Sequence, residues 1–190
     1  KRKLSILLAF AIVCCMSGCG VTPANSNNTT PSSQTSSSET VSESSTSSEE
    51  VAQIHKPGET VKLGNWEITV NSAEAVDKID GNYNTAFKPS EGNKYVVINT
   101  TVKNVDTNSD TFLPSISMSK DVKVKVHYGE YEFSSTSLLA HNDDLHDTTL
   151  NPLSSKTGII VFSVVSNIAV PENLNVTFSM GKEAVNFSLV

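Results

Sequence analysis

The amino-acid sequence predicts an all-β fold, an antiparallel β-sandwich, and three observations carry that expectation. After Glu50, about 140 residues consist of short apolar stretches separated by Gly, Pro, Asn and Asp, without a sustained helical period. Several of those stretches alternate strictly between apolar and polar side chains, as a half-buried strand requires. Seven or more such strands, spaced by turn residues, are what a sandwich of one ordinary domain needs. The domain is expected over residues 51–190, behind a signal at 1–18 and a tether at 19–50.

The chain opens with Lys1, Arg2 and Lys3, followed by an apolar run of 13 residues from Leu4 to Met16. As a helix that run would be only about 20 Å long, against a hydrocarbon core of roughly 30 Å. A basic start, a short apolar middle and small residues before a break are the pattern of a cleaved secretory signal. The junction Met16, Ser17, Gly18, Cys19 resembles the bacterial lipobox. That resemblance implies that Cys19 takes a diacylglyceryl group, becomes the mature N-terminus and anchors the protein to the outer face of the cell membrane. Met16 stands where such motifs more usually carry leucine.

All three cysteines lie at or before position 19, so the expected domain has no thiol to form a disulfide or ligate a metal. The formal net charge of −6 becomes −9 once the three basic residues of the signal are removed. So acidic a chain, without a basic stripe, is a poor match to nucleic acid and to an anionic membrane surface. Residues 20–50 are Ser, Thr, Asn, Pro and Glu with few apolar side chains, and cannot bury enough surface to offset chain entropy. They read as a flexible tether with an r.m.s. reach of about 30 Å. A platform for O-glycosylation or a segment read by a partner remains the alternative.

Within the domain, residues 59–63 and the turn pair Gly64-Asn65 predict a hairpin into a strand with Trp66, Ile68 and Val70 inward. Residues 94–102 are rich in β-branched side chains on both faces, which suits the middle of a sheet. Val122, Val124 and Val126 alternate with Lys123, Lys125 and His127, and the outward lysines read as guards against edge-to-edge pairing. A turn is expected near residues 137–140. Residues 158–165 are almost wholly apolar; Leu174, Val176, Phe178 and Met180 alternate with polar neighbours, as do Val185, Phe187 and Leu189. The expected core includes Trp66, Ile68, Val70, Val96, Ile98, Phe162, Val176, Phe178 and Phe187.

Taken together, residues 58–61, 66–70, 92–98, 102–104 and 158–162 resemble the telokin-like domain of unknown function found on Gram-positive surface lipoproteins. The resemblance covers nearly everything after residue 55 and implies an immunoglobulin-like sandwich. Residues 120–133 match it poorly, and Ser154 and Ser155 stand where the family often has glycine. It implies no activity, because one fold hosts many functions.

Chemistry-bearing motifs are sparse. The chain lacks a Gly-x-Ser-x-Gly elbow, a Gly-rich phosphate loop and a His-Glu-x-x-His helix, so no catalytic residue and no enzyme activity is predicted. Glu130 and Glu132 would share one strand face, where solvent exposure explains them better than catalysis. The densest polar cluster is His141, Asp143, Asp144, His146 and Asp147. Such imidazoles and carboxylates could bind Zn²⁺ or Ca²⁺, but the spacing fits no named site and an acidic surface loop accounts for the composition. No cofactor is expected. Two function classes follow: a binding module for a protein, peptide or envelope glycan, with Tyr83, Phe87, Tyr128 and Tyr131 as candidate exposed aromatics, or an accessory subunit of an envelope complex docking along a sheet edge.

Overall fold

The computed structural model describes residues 53–190, so the signal, Cys19 and the tether expected over residues 1–50 lie outside the described residues. Among the described residues, no helix is long and apolar enough to cross a membrane. The first strands are β1 (Ile54–His55), β2 (Thr60–Leu63) and β3 (Trp66–Val76). The β2–β3 hairpin turns through Gly64 and Asn65, with Leu63 opposite Trp66. Gly64 takes φ 55°, as the first central position of a tight hairpin turn requires.

Two short strands, β4 (Ile79–Asp80) and β5 (Ala86–Phe87), pair around a 3₁₀ turn at Asn82–Asn84. The chain continues through β6 (Asn93–Asn104), β7 (Asp110–Phe112), β8 (Val122–Tyr128) and β9 (Tyr131–Thr136). It ends with β10 (Thr148–Leu150), β11 (Ser155–Val165), β12 (Asn175–Met180) and β13 (Glu183–Ser188). Nine strands join in the order β1-β13-β12-β8-β9-β11-β6-β3-β2. β9 stands at the centre of that ladder and pairs with β8 through its first residues and with β11 through Ser135 and Thr136. The sheet thus curls into two layers, and β9 is the strand that crosses between them.

The nine core residues expected from alternation are each no more than 1% exposed, and they meet between the layers. The Phe178 ring lies edge-on to Phe187 at 5.9 Å, and Trp66 edge-on to Phe112 at 5.1 Å, arrangements favoured by the ring quadrupoles. In β3 the inward parity changes: Ile68 and Val70 face the core before a bulge, Ala73 and Ala75 after it. One extra residue, Asn71, shifts the two-residue period, and its amide donates to Asn99 Oδ1 and Thr101 Oγ1 on the outer face. β6 and β11 are covered on both faces, because Tyr95, Val97, Val161 and Leu138 form a second cluster roofed by Ile79 and Phe87. The central position expected for residues 94–102 follows from that double burial.

The ladder is antiparallel as expected, apart from the two-residue β1, which lies parallel to β13. Other expectations need correction. β8 lies between β12 and β9 from Lys125 onward, so Lys125 guards no edge and pairs across to Glu132, whereas Lys123 stands where β8 has β12 alone for a neighbour. Glu130 sits in the turn between β8 and β9 while Glu132 lies in β9, so the two share no strand face. The turn near residues 137–140 is present, closed by the His141 N–H donating to Leu138 O at 3.0 Å, and the 3₁₀ segments lie elsewhere, at Asn82–Asn84 and Pro171–Asn173.

Candidate functional site

The point where β9 leaves one layer for the other opens a gap in the sandwich. β8 keeps β12 as a partner over Val122–His127, but it pairs with β9 only from Lys125 onward. Along Val122–Val124 one edge of β8 therefore has no strand beside it. A cleft of about 200 Å³ occupies the gap, lined by Val122, Lys123, Val124 and Lys125 on one side and Ser134, Ser135 and His146 on the other. Leu113, Pro114 and Ser117 close its end.

Beyond Thr136 the chain turns and returns alongside β11, where it takes the place of a strand. The Ile159 N–H donates to Asp143 O at 2.7 Å and the Leu145 N–H donates to Ile159 O at 3.1 Å. This close approach depends on Gly158: a Cβ there would stand 2.3 Å from Asp143 O and 2.8 Å from Leu145 Cδ2. Leu145 is fully buried, which fixes the returning segment and aims Asp144 inward.

Asp144 is the hub of the site, with a side chain only 6% exposed. Its Oδ2 accepts from the Leu138 N–H at 2.6 Å and the Ser137 hydroxyl at 3.0 Å. Its Oδ1 accepts from the His146 backbone N–H at 3.0 Å and lies 2.7 Å from His146 Nδ1. Burial pushes the Asp144 carboxyl up, but hydrogen bonds from the His146 side chain and backbone and from Leu138 outweigh it and hold the group below its ordinary value. The aspartate is ionised, and an ionised carboxylate only accepts, so His146 Nδ1 carries a proton and donates to it. The other nitrogen, Nε2, lies 2.9 Å from the Ser135 hydroxyl, and in the imidazole form it accepts from that hydroxyl.

The rest of the cluster has different work. Asp147 accepts at 2.7 Å from the Ser115 N–H and also from the Ser115 hydroxyl, and those two bonds hold its carboxyl below the usual range. It thereby ties residues 113–117 to the end of the returning loop, and its own N–H donates to Leu113 O at 3.1 Å. Leu113 and Asp147 both have positive φ, 47° and 54°, a conformation that costs a non-glycine residue on the order of 1 kcal/mol. Both flank the cleft. His141 lies half-buried with its ring 6.2 Å from Phe87, and Asp143 is exposed.

The sequence reading of this segment as an acidic surface loop is corrected for Asp144, which is buried, and for His146, which is half-buried; both are engaged in hydrogen bonds. Its flanks include the end of β9 and the whole of β10. Among the described residues, no three His, Asp or Glu side chains converge as a metal site would need. Of the candidate aromatics, Tyr131 is exposed, whereas Tyr128 packs on the main core and Phe87 on the second cluster. The side chain of Tyr83 lies outside the described residues. Sequence reasoning missed Ser135 altogether. It stands in the run Ser134, Ser135, Thr136, Ser137, with no local signature to single out one hydroxyl.

Comparison with known proteins agrees with this architecture. An uncharacterised β-sandwich protein from Clostridium difficile 630 superposes with a TM-score of 0.51 at 14% identity, over 73% of this chain and 96% of that one. Weaker likenesses, both with a TM-score of 0.49 and 16% identity over 72% of this chain, are the YjhA protein of Bacillus subtilis, covered over its full length, and the secreted protein MPT63 of Mycobacterium tuberculosis, 97% covered. No curated protein matches the chain. The sequence profile of DUF4352, a domain of unknown function, matches residues 55–185, which span the whole ladder from β1 into β13 and all of the cleft. The chain therefore belongs to the DUF4352 family.

Proposed function

We propose that this protein is a membrane-anchored bacterial surface lipoprotein that presents a telokin-like, immunoglobulin-type sandwich as a binding module for small ligands. The observation that carries the binding reading is the cleft itself, where the edge of β8, Lys123, Ser135 and His146 converge on one concavity between the layers. Polar groups gathered in a partly apolar recess are how small-molecule sites are built. The lysine-lined rim suits an anionic ligand such as a short carboxylate. Isotope-edited NMR of the protein titrated with acetate tests this. Shifts confined to Val122–Lys125, Ser135 and His146 are expected, and their absence sinks the reading.

The anchor rests on the lipobox-like Met16 to Cys19. The Cys19→Ala variant should no longer incorporate labelled fatty acid; continued labelling overturns the assignment. A docking role along a sheet edge has less behind it. The terminal strands of the ladder are short, β1 of two residues and β2 of four, and β2 alternates exposed with buried side chains instead of presenting an apolar edge. Enzymatic chemistry has no support from family membership and rests on geometry alone.

A further inference from the structure

We infer that Ser135, His146 and Asp144 form a nucleophilic hydrolase site in the cleft, acting on short-chain acyl esters. The inference deepens the binding reading and rests on it, since the ester must enter the same cleft. The connectivity is complete: hydroxyl to Nε2 at 2.9 Å, Nδ1 to carboxylate at 2.7 Å, and the carboxylate held from behind by the Leu138 N–H at 2.6 Å. A serine hydroxyl is a weak nucleophile until an adjacent base takes its proton, and a histidine in the Nδ1–H tautomer next to a fixed carboxylate is that base. Ser135 and His146 both line the cleft, so the nucleophile faces the space where substrate would lie.

In the reaction, Ser135 Oγ bonds to the acyl carbon as its proton passes to His146 Nε2. The carbonyl π pair moves onto oxygen, giving a tetrahedral oxyanion. Donors are at hand along the unpaired edge of β8: alternate residues of a strand turn their N–H groups to the same side, so at least one of Val122, Lys123 and Val124, all of which line the cleft, turns its N–H to the edge that β9 leaves uncovered. Lys123, which has no ion-pair partner among the described residues, adds positive charge to the rim. The oxyanion then collapses, the ester C–O bond breaks, and the leaving alkoxide takes the proton from His146. Water attacks the acyl-Ser135 carbonyl and gives its proton to His146. Collapse releases the carboxylic acid and returns the proton to Ser135 Oγ. Asp144 touches no reacting atom; it is a positioning residue that fixes the His146 tautomer and ring.

A cleft of about 200 Å³ accommodates an acetyl-sized acyl group with part of its alcohol, which sets the substrate class. The experiment uses the purified protein with a fluorophosphonate probe and with p-nitrophenyl acetate. One label, mapped to Ser135, is expected, and Ser135→Ala should lose the label and on the order of 100-fold or more in turnover while keeping its melting temperature. His146→Ala should leave Ser135 unlabelled. Asp144→Asn should lower kcat with KM little changed, a split that loop displacement alone would not give. Absence of label on the wild-type protein, label at another residue, or wild-type turnover in Ser135→Ala overturns the inference. The acetate titration separates the two readings: cleft shifts without labelling overturn hydrolysis and leave binding standing, whereas no shift and no labelling overturn both.

Discussion

The interior between the two layers and the polar end where β9 crosses are both buried, yet they are held by opposite means. Between the layers, Phe162, Phe178 and Phe187 are stabilised by removal of apolar area from water, a force that is non-directional and tolerates substitution of similar volume. At the crossing, Asp144 is stabilised by hydrogen bonds whose donors must each stand within a few tenths of an ångström of where they are. The first region fixes the fold; the second fixes one arrangement of a loop. A buried polar hub that closes no sheet and fills little volume is an expensive way to hold a loop, and that expense is why it invites a functional explanation.

The largest effect should come from the apolar region. Phe162 is fully buried at the centre of β11 and packs among residues from both layers. Phe162→Ala should cost about 3–5 kcal/mol in urea unfolding, from lost transfer energy and the cavity left behind. A cost under about 1 kcal/mol would mean that the layers collapse onto the gap, and the contrast with the polar end would lose its force.

Gly158 tests the boundary between the regions. It lies in β11 but exists as glycine for the sake of the returning loop, since a Cβ would collide with the Asp143 carbonyl and the buried Leu145 side chain. Gly158→Ala should cost about 1–3 kcal/mol, the usual penalty of overpacking. It should also perturb the NMR signals of Asp144 and His146 while sparing those of Trp66. A neutral substitution would show that the loop rides loosely on the strand.

Asp144 should show a pH signature that the apolar core lacks. Its folded-state value lies below the unfolded value of about 3.9, so its stabilisation is complete above that pH and is lost as pH falls through the lowered folded value. Asp144→Asn, which leaves buried donors such as the Leu138 N–H without their charged acceptor, should cost about 1–3 kcal/mol at neutral pH. The difference in melting temperature between the two proteins should then shrink as pH falls below about 4. A difference independent of pH would mean that the charge of Asp144 contributes nothing.

The same contrast explains what the sequence revealed. Alternation is a local, two-residue signal, and it correctly placed Trp66, Ile68, Val70, Val176, Phe178 and Phe187 before any contact was known. It did not foresee that the strand runs on past Asn71, where the bulge changes parity, because one inserted residue breaks the two-residue period. It also failed to order the strands, so Lys125 read as an edge guard although β8 has neighbours on both sides there. The site was half legible: Asp144 and His146 stood out by composition. Their burial and their link to Ser135 did not, because those depend on a loop docking against β11 at Gly158. Bonds between residues six, seven and eleven positions apart, across a turn of unspecified geometry, leave no periodic trace.

The smallest effect should fall on the exposed remainder of the same cluster, and it separates the hub from its surroundings. His141 is half-buried against Phe87, and its Nδ1 accepts at 3.2 Å from the Asp143 N–H, on an exposed residue that water can serve instead. Its own backbone N–H, which closes the turn onto Leu138 O, survives any side-chain change. His141→Ala should therefore change stability by no more than about 0.5 kcal/mol, as for ordinary surface sites. The ligands that a metal would need are committed elsewhere: Asp144 to Leu138, Ser137 and His146, and Asp147 to Ser115. Recruiting them for an ion would break those bonds, so the melting temperature should be the same with and without EDTA. A chelator-induced drop of several degrees, or a large cost at His141, would show that the cluster acts as one unit, and the division drawn between a buried hub and a solvated rim would fail.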